Sequence, residues 1–250
     1  MHLPLLSLLV AVTGLSNAAP SGLHTHILAA ELAQFEFWVQ YAAAAYCHYN
    51  FASKAGQKLT CWAGNCPDVE AADTSIAYDY SNTTTTDTSG HYLAFRGSYS
   101  ARNWIADGEF PYTDPKLCDG CEAEIGFWSS WELAREEIIE FANAAVDANP
   151  DYELAVVGHS LAAAADLRGN GHPSAELYAY ASPRVTNPAL AQYITAQSNN
   201  YRFTHTNDPV PKLPILTMGY VRVSPEYYVT APNNATVSAN QVQVLWGEIN

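Results

Sequence analysis

The sequence is short of positive charge. Eleven Lys and Arg stand against 25 Asp and Glu, a formal net charge of −14. A surface that binds a phosphate backbone needs clustered cations, so nucleic acid is excluded as a partner. Charged residues of both signs make up only 14% of the 250 residues while 48% are apolar, a balance that disordered chains do not have. A hydrophobic run of membrane length is also missing: the apolar stretch from Leu3 to Leu15 is too short to cross a bilayer comfortably. Internal repeats, linkers, a nucleotide-binding motif and a metal-ligand cluster are absent too, which leaves a single domain without a cofactor as the expectation. No histidine follows His205.

What is present begins with that short apolar stretch. Followed by the small residues Ser16-Asn17-Ala18, it reads as a secretory signal over residues 1–18, with 19–250 as the exported domain. Export makes the five cysteines readable as disulfides. Cys61 and Cys66 are close enough to close a small loop, as are Cys118 and Cys121, and Cys47 is left over. The sequons at Asn82 and Asn234 fit an extracellular glycoprotein.

Periodicity then supplies the elements. Leu28 to Tyr46 reads as a helix, with Leu32, Phe35, Trp38, Val39 and Ala42 at helical spacing. Tyr78 to Gly90 is polar and of low complexity, so a surface loop is expected, and His91 to Phe95 is a short strand. The segment from Arg96 to Cys121 has no clear period, and unstructured stretches of that length are often functional. Ser129 to Ala148 reads as one helix with a Ser129/Glu132 capping box, an Ile138, Phe141, Ala142, Ala145 stripe and an Asn149-Pro150 stop. Strand Glu153–Val157, helix Ser160–Arg168, strand Ala175–Ser182, helix Pro188–Gln197 and strand Tyr201–Thr206 follow. Such alternation implies an α/β fold with a predominantly parallel sheet and crossover helices.

The chemistry concentrates at Gly158-His159-Ser160-Leu161-Ala162, between a strand and a helix. A glycine there lets the chain turn sharply, a serine on the turn is raised above the sheet edge, and the Leu161 amide faces a developing oxyanion. Ser160 is therefore a candidate nucleophile. Asp208, just past the next strand but one, is the candidate acid; the bland alternative is that it caps the Pro-rich turn after it. His205 precedes Asp208 on its strand, where a buried structural role is expected.

At these residues the chain resembles the class 3 lipases secreted by filamentous fungi, which are α/β-hydrolases. The markers run in order: "YAAAAYC", "FRGS", "NWIAD", "CDGC", "GFWSSW", "ANPDYELAVVGHSL", "ADLRGNG", "ASPRV", "RFTHTNDPVPKLP" and "SPEYY". The resemblance implies Ser160 as nucleophile, Asp208 as triad acid, and Ser98 beside Leu161 in the oxyanion hole. It also implies an amphipathic lid over Ala101 to Ala106, bearing Trp104 and Ile105, that opens at an oil-water interface. A monomeric triacylglycerol lipase is the leading expectation. A feruloyl or other carboxylesterase is the first alternative, and an inactive lipase-like lipid-binding protein the second. Three departures from the family pattern accompany the match. The family continues past the position of Asn250 with the triad histidine and a cysteine that partners the position of Cys47. It also has a longer helix after the nucleophile and an additional hairpin before "HYLAF".

Overall fold

The computed structural model describes residues 25–50, 53–79, 83–86, 90–95, 110–158 and 162–247. Ser98, Trp104, Ile105, Ser160, Leu161 and Asn82 lie outside the described residues. The strands are β1 (Thr25–His26), β2 (Ser75–Asp79), β3 (Thr83–Thr86), β4 (Gly90–Phe95), β5 (Tyr112–Thr113), β6 (Ala123–Glu124), β7 (Glu153–Gly158), β8 (Glu176–Tyr180), β9 (Asn200–His205), β10 (Glu226–Val229) and β11 (Val242–Leu245). Among the described residues, nine of them join one sheet in the order β1-β11-β10-β9-β8-β7-β4-β3-β2. The centre, from β10 to β4, is parallel. Both flanks are antiparallel. The parallel sheet read from the alternation of elements is the observed architecture.

The helices are α1 (Ala29–Ala44), α2 (Pro67–Ala71), α3 (Ile125–Glu132), α4 (Arg135–Ala148), α5 (Ala162–Gly169) and α6 (Pro188–Ala196). They cover both faces, so the central strands bury side chains on both sides, as crossover helices require. On β7, Leu154 and Val156 enter one core while Ala155 and Val157 enter the other, the two-residue period of a strand. The first core collects the faces of α3 to α6. In the second, Phe35, Trp38 and Tyr41 of α1 meet Tyr92, Tyr178, Phe203 and Tyr227 of the sheet. There Trp38 stacks on Tyr178 at 4.8 Å, and Phe35 meets Phe203 edge-on at 4.9 Å. Each such pair contributes about 0.5–1.5 kcal/mol beyond the area it buries.

Three local expectations are corrected. The α1 stripe passes through Tyr41, fully buried, and leaves Val39 exposed. Aromatic bulk fills the gap above the sheet that a valine cannot reach.

The polar stretch expected as a loop over Tyr78 to Gly90 instead supplies β3 and the end of β2. Thr83 to Thr86 pair with His91 to Ala94 on one side and Ser75 to Asp79 on the other. Threonine is β-branched and suits a pleated surface, which outweighs its polarity.

The helix expected from Ser129 to Ala148 is two helices. It breaks at Leu133 and Ala134, where the Ala134 N–H turns back to the Trp131 carbonyl at 3.0 Å. Asp166, buried on α5, holds both sides of the break. It accepts from Trp131 Nε1 at 2.8 Å and from Arg135 Nη2 at 3.1 Å. The cap is not Ser129 but Glu124, which accepts from the Phe127 N–H at 2.9 Å.

Cys61 is bonded to Cys66 and Cys118 to Cys121, while Cys47 is a buried free thiol.

Candidate active site

The segment after the glycine turn is alanine-rich because α5 lies almost wholly inside the protein. Ala163, Ala164, Ala165 and Leu167 are fully buried, and small side chains let the helix sit close to its neighbours, α3 among them. Gly158 ends β7 with φ at 141°, a conformation other residues rarely adopt. A Cβ at that position would collide with the Phe95 carbonyl oxygen. It would also lie 3.0 Å from the Phe95 carbonyl carbon and 3.1 Å from its Cβ. The β4–β7 register explains this closeness, since Phe95 pairs with Gly158. The chain toward Ser98 and the chain toward Ser160 therefore leave the sheet from the same rung.

The carboxyl ends of the parallel strands line one edge: Gly158 pairs with Ala179, Tyr180 with Phe203, and His205 with Val229. Strands β7 and β9 are separated by β8, so their ends are about 10 Å apart. Asp208 follows β9 directly. Its amide donates to the His205 carbonyl at 3.1 Å, and its Oδ1 accepts from the Val210 N–H at 2.9 Å. The capping alternative thus describes one oxygen of this carboxylate. Oδ2 has no hydrogen-bond partner among the described residues. Asp208 lines a cavity of about 230 Å³ shared with Thr204, His205, Lys212, Arg222 and Glu226.

His205 is half-buried rather than buried, and both ring nitrogens are engaged. Nε2 contacts the Ala231 carbonyl at 2.8 Å, and Nδ1 accepts from the Asn207 N–H at 3.3 Å. These partners suit Nε2 as the donor and Nδ1 as the acceptor. The ring ties the strand end to the turn that carries Asn234, an exposed residue at φ 61°. His172 lies between α5 and α4, with Nε2 2.9 Å from Asn143 Oδ1, and burial lowers its pKa.

Sequence reasoning missed the charged floor of the cavity. Arg202 is buried, with Nε donating to the Val223 carbonyl at 2.8 Å and Nη1 to Glu226 Oε1 at 3.2 Å. Thr204 donates to the same oxygen at 2.6 Å, and Arg222 Nη1 lies 3.5 Å from Oε2. Arg202 and Thr204 sit on the strand next to Glu226, more than 20 residues away in sequence, so only the register reveals that pairing; Arg222 precedes Glu226 by four residues. Burial by itself would raise the Glu226 pKa, but Arg202, Thr204 and Arg222 outweigh it and hold it below the usual carboxylate value of 4.5.

A depressed pKa contributes stability that is present above 4.5 and is lost as pH falls through the lowered folded-state value. Glu226→Gln leaves Arg202 uncompensated and should cost about 3 kcal/mol at pH 7, with a shallower further loss below pH 4.5 than the parent shows. Thermal melts at pH 7 and below 4.5 check this; parallel pH profiles for the two proteins would overturn it.

Among the described residues there is no group of three or more His, Cys, Asp or Glu placed to hold a metal ion, and no helix long and apolar enough to cross a membrane.

Comparison with known proteins agrees with this geometry. The family pattern for Lipase (class 3) matches residues 92–218, and that for the Lipase 3 N-terminal region matches residues 5–78. The chain is 56% identical to secreted mono- and diacylglycerol lipase A of Penicillium cyclopium, over 100% of this chain and 87% of that protein. The match spans 266 positions, so segments of the relative have no counterpart here. Secreted mono- and diacylglycerol lipase 1 of Fusarium solani is 38% identical over 88% of this chain and 70% of its own length. The crystal structure of a mono- and diacylglycerol lipase from Aspergillus oryzae superposes with a TM-score of 0.83 at 53% identity, covering 88% of this chain and 87% of that one. On this fold, and with identity of this extent, the chain belongs to the secreted class 3 lipases, ester hydrolases of the α/β-hydrolase fold.

Proposed function

We propose that the protein hydrolyses acylglycerols at an oil-water interface as a monomer, with Ser160 as nucleophile and Asp208 as the acid of its triad. The observation that carries the assignment is the enforced glycine at 158. It abuts Phe95, stands at the end of the strand leading to Ser160, and lies two strand spacings from the end of the strand leading to Asp208. In this reading Ser160 Oγ bonds to the ester carbonyl carbon, the ester C–O bond breaks, and the glyceride alcohol leaves with the serine's proton, so that an acyl-enzyme forms. Backbone amides at Ser98 and Leu161 hold the oxyanion, and water releases the fatty acid. The lid bearing Trp104 and Ile105 covers the substrate.

The expectation of a triacylglycerol lipase narrows here to partial acylglycerols. The 56% and 38% identical relatives are both mono- and diacylglycerol lipases by name. Emulsified dioleoylglycerol should be hydrolysed about tenfold faster than triolein, a discrimination within the reach of pocket shape. Equal rates would return the assignment to triacylglycerol, and faster cleavage of methyl ferulate than of either would replace it. The exported chain starts after residue 18 and carries a glycan on exposed Asn234; amino-terminal sequencing and endoglycosidase digestion of the secreted product read both.

One observation favours a second reading, a lipid-binding protein without turnover. The histidine on the cavity wall, His205, has both nitrogens committed to backbone groups, which supports a structural role for it rather than that of a base. Droplet binding without ester hydrolysis by the secreted protein would select it.

A further inference from the structure

The connection from β9 to β10 is clamped at two places and bare between them. At the first clamp the Arg184 N–H donates to the Leu213 carbonyl at 2.8 Å. Its Nη1 donates to the Pro214 carbonyl at 2.7 Å and also to that of Lys212. At the second, buried Tyr220 donates from its hydroxyl to the Phe110 carbonyl at 2.9 Å and stacks on Tyr112 at 4.3 Å. Val221 adds a bond from its N–H to the Thr186 carbonyl at 3.0 Å. Between the clamps, Ile215 is 52%, Leu216 47% and Met218 37% exposed, on a single 3₁₀ turn closed by Gly219 at φ 84°. A turn anchored on both sides presents these side chains outward by construction. Contiguous exposed apolar surface of this kind marks an interaction site, unlike singly scattered residues.

Charge narrows the partner. Between Asp208 and Glu226 there is no acidic residue, and the charges are Lys212 and Arg222. On a chain of net charge −14 this segment is non-negative. It suits an uncharged lipid surface and tolerates the fatty-acid carboxylates that ester hydrolysis leaves there. Its position agrees. The turn follows the Asp208 segment, and Arg184, which clamps it, lies just past the carboxyl end of β8.

We propose that Ile215, Leu216 and Met218 are a docking surface that seats the enzyme on a neutral acylglycerol surface, separate in sequence from the lid segment. This rests on the acylglycerol reading above, and the test is chosen to separate the two.

The secreted protein is mixed with dioleoylglycerol droplets coated with phosphatidylcholine, and the floating fraction is measured. Ile215→Ser, Leu216→Ser and Met218→Ser combined should lower the bound fraction by about fivefold or more, and Leu216→Trp should raise it by about twofold. Trp62→Ser is the control. Trp62 is 78% exposed on the loop closed by Cys61–Cys66. That loop neighbours Lys58, which bridges Ser75, and Ser75 pairs with Thr86 near the amino end of β4, at the opposite sheet edge. It should leave binding unchanged.

Undiminished flotation of the triple variant overturns the proposal, as does an equal loss in Trp62→Ser. A concentration-dependent dimer abolished by the same substitutions, with flotation intact, assigns the surface to a second copy and also overturns it. Flotation needs no turnover. Patch-dependent binding without hydrolysis therefore supports the docking surface while removing the hydrolase reading, and hydrolysis with patch-independent binding does the reverse.

Discussion

Replacing Ser160 by alanine is expected to lower ester hydrolysis by the secreted protein about 10³-fold or more, with unchanged folding. The residue precedes α5, whose buried side chains share a core with the sheet, so loss of one hydroxyl removes the proposed nucleophile and little else. Asp208→Asn is the companion. Asparagine keeps an Oδ1 to accept the Val210 N–H, so the turn cap survives while the charge is lost. A catalytic acid then shows a fall of about 10⁴-fold in kcat, and a cap shows almost none. p-Nitrophenyl butyrate assays on the two variants and the parent decide the matter. Equal rates for Ser160→Ala and the parent would remove Ser160 from the mechanism.

The second large effect is structural. Gly158→Ala should destabilise the protein by about 3 kcal/mol or more, because it combines a disallowed φ with a backbone collision that no rotamer can relieve. For a domain of this size that corresponds to a melting temperature lower by about 6–12 °C. The colliding atoms belong to the Phe95 backbone, so relief requires β4 and β7 to part at the rung from which both proposed catalytic loops depart. Activity should therefore fall further than stability does. Gly169→Ala is the contrast: nothing lies within 4 Å of a Cβ there, and the change should stay under about 1 kcal/mol. If the two substitutions behave alike, the enforced-glycine argument fails.

Much of this was legible along the chain. β4, β7, β9 and α6 begin and end within about two residues of their expected bounds. Their signals are local: a strand's apolar run and a proline at the start of a helix. Asn187 caps α6 by accepting from the Leu190 N–H, and Pro188 opens it, a start written in adjacent residues. The glycine turn and Asp208 were legible for the same reason, as was the family, whose markers are short and ordered.

The failures have the opposite character. The break between α3 and α4 depends on Asp166, more than 30 residues away, reaching Trp131 and Arg135. Tyr41 replaces Val39 in the α1 stripe because the far side of the gap is lined by Tyr92 of β4, whose ring lies 4.6 Å from that of Tyr41. The threonine strand exists because β2 and β4 are there to pair with it.

By itself the sequence determined the class of fold, the order of its elements, the residue types of a serine hydrolase and the family they belong to. Those are properties of neighbours along the chain. Only the tertiary structure decided that residue 158 tolerates no Cβ, that Asp208 spends one oxygen on its own turn, and that His205 is committed to backbone partners. It also decided that Glu226 answers Arg202, and that three apolar side chains stand outward between two clamps. Each of these depends on the register between strands or on groups brought together from distant positions. Register is settled by the whole packed sheet rather than by any short stretch of residues.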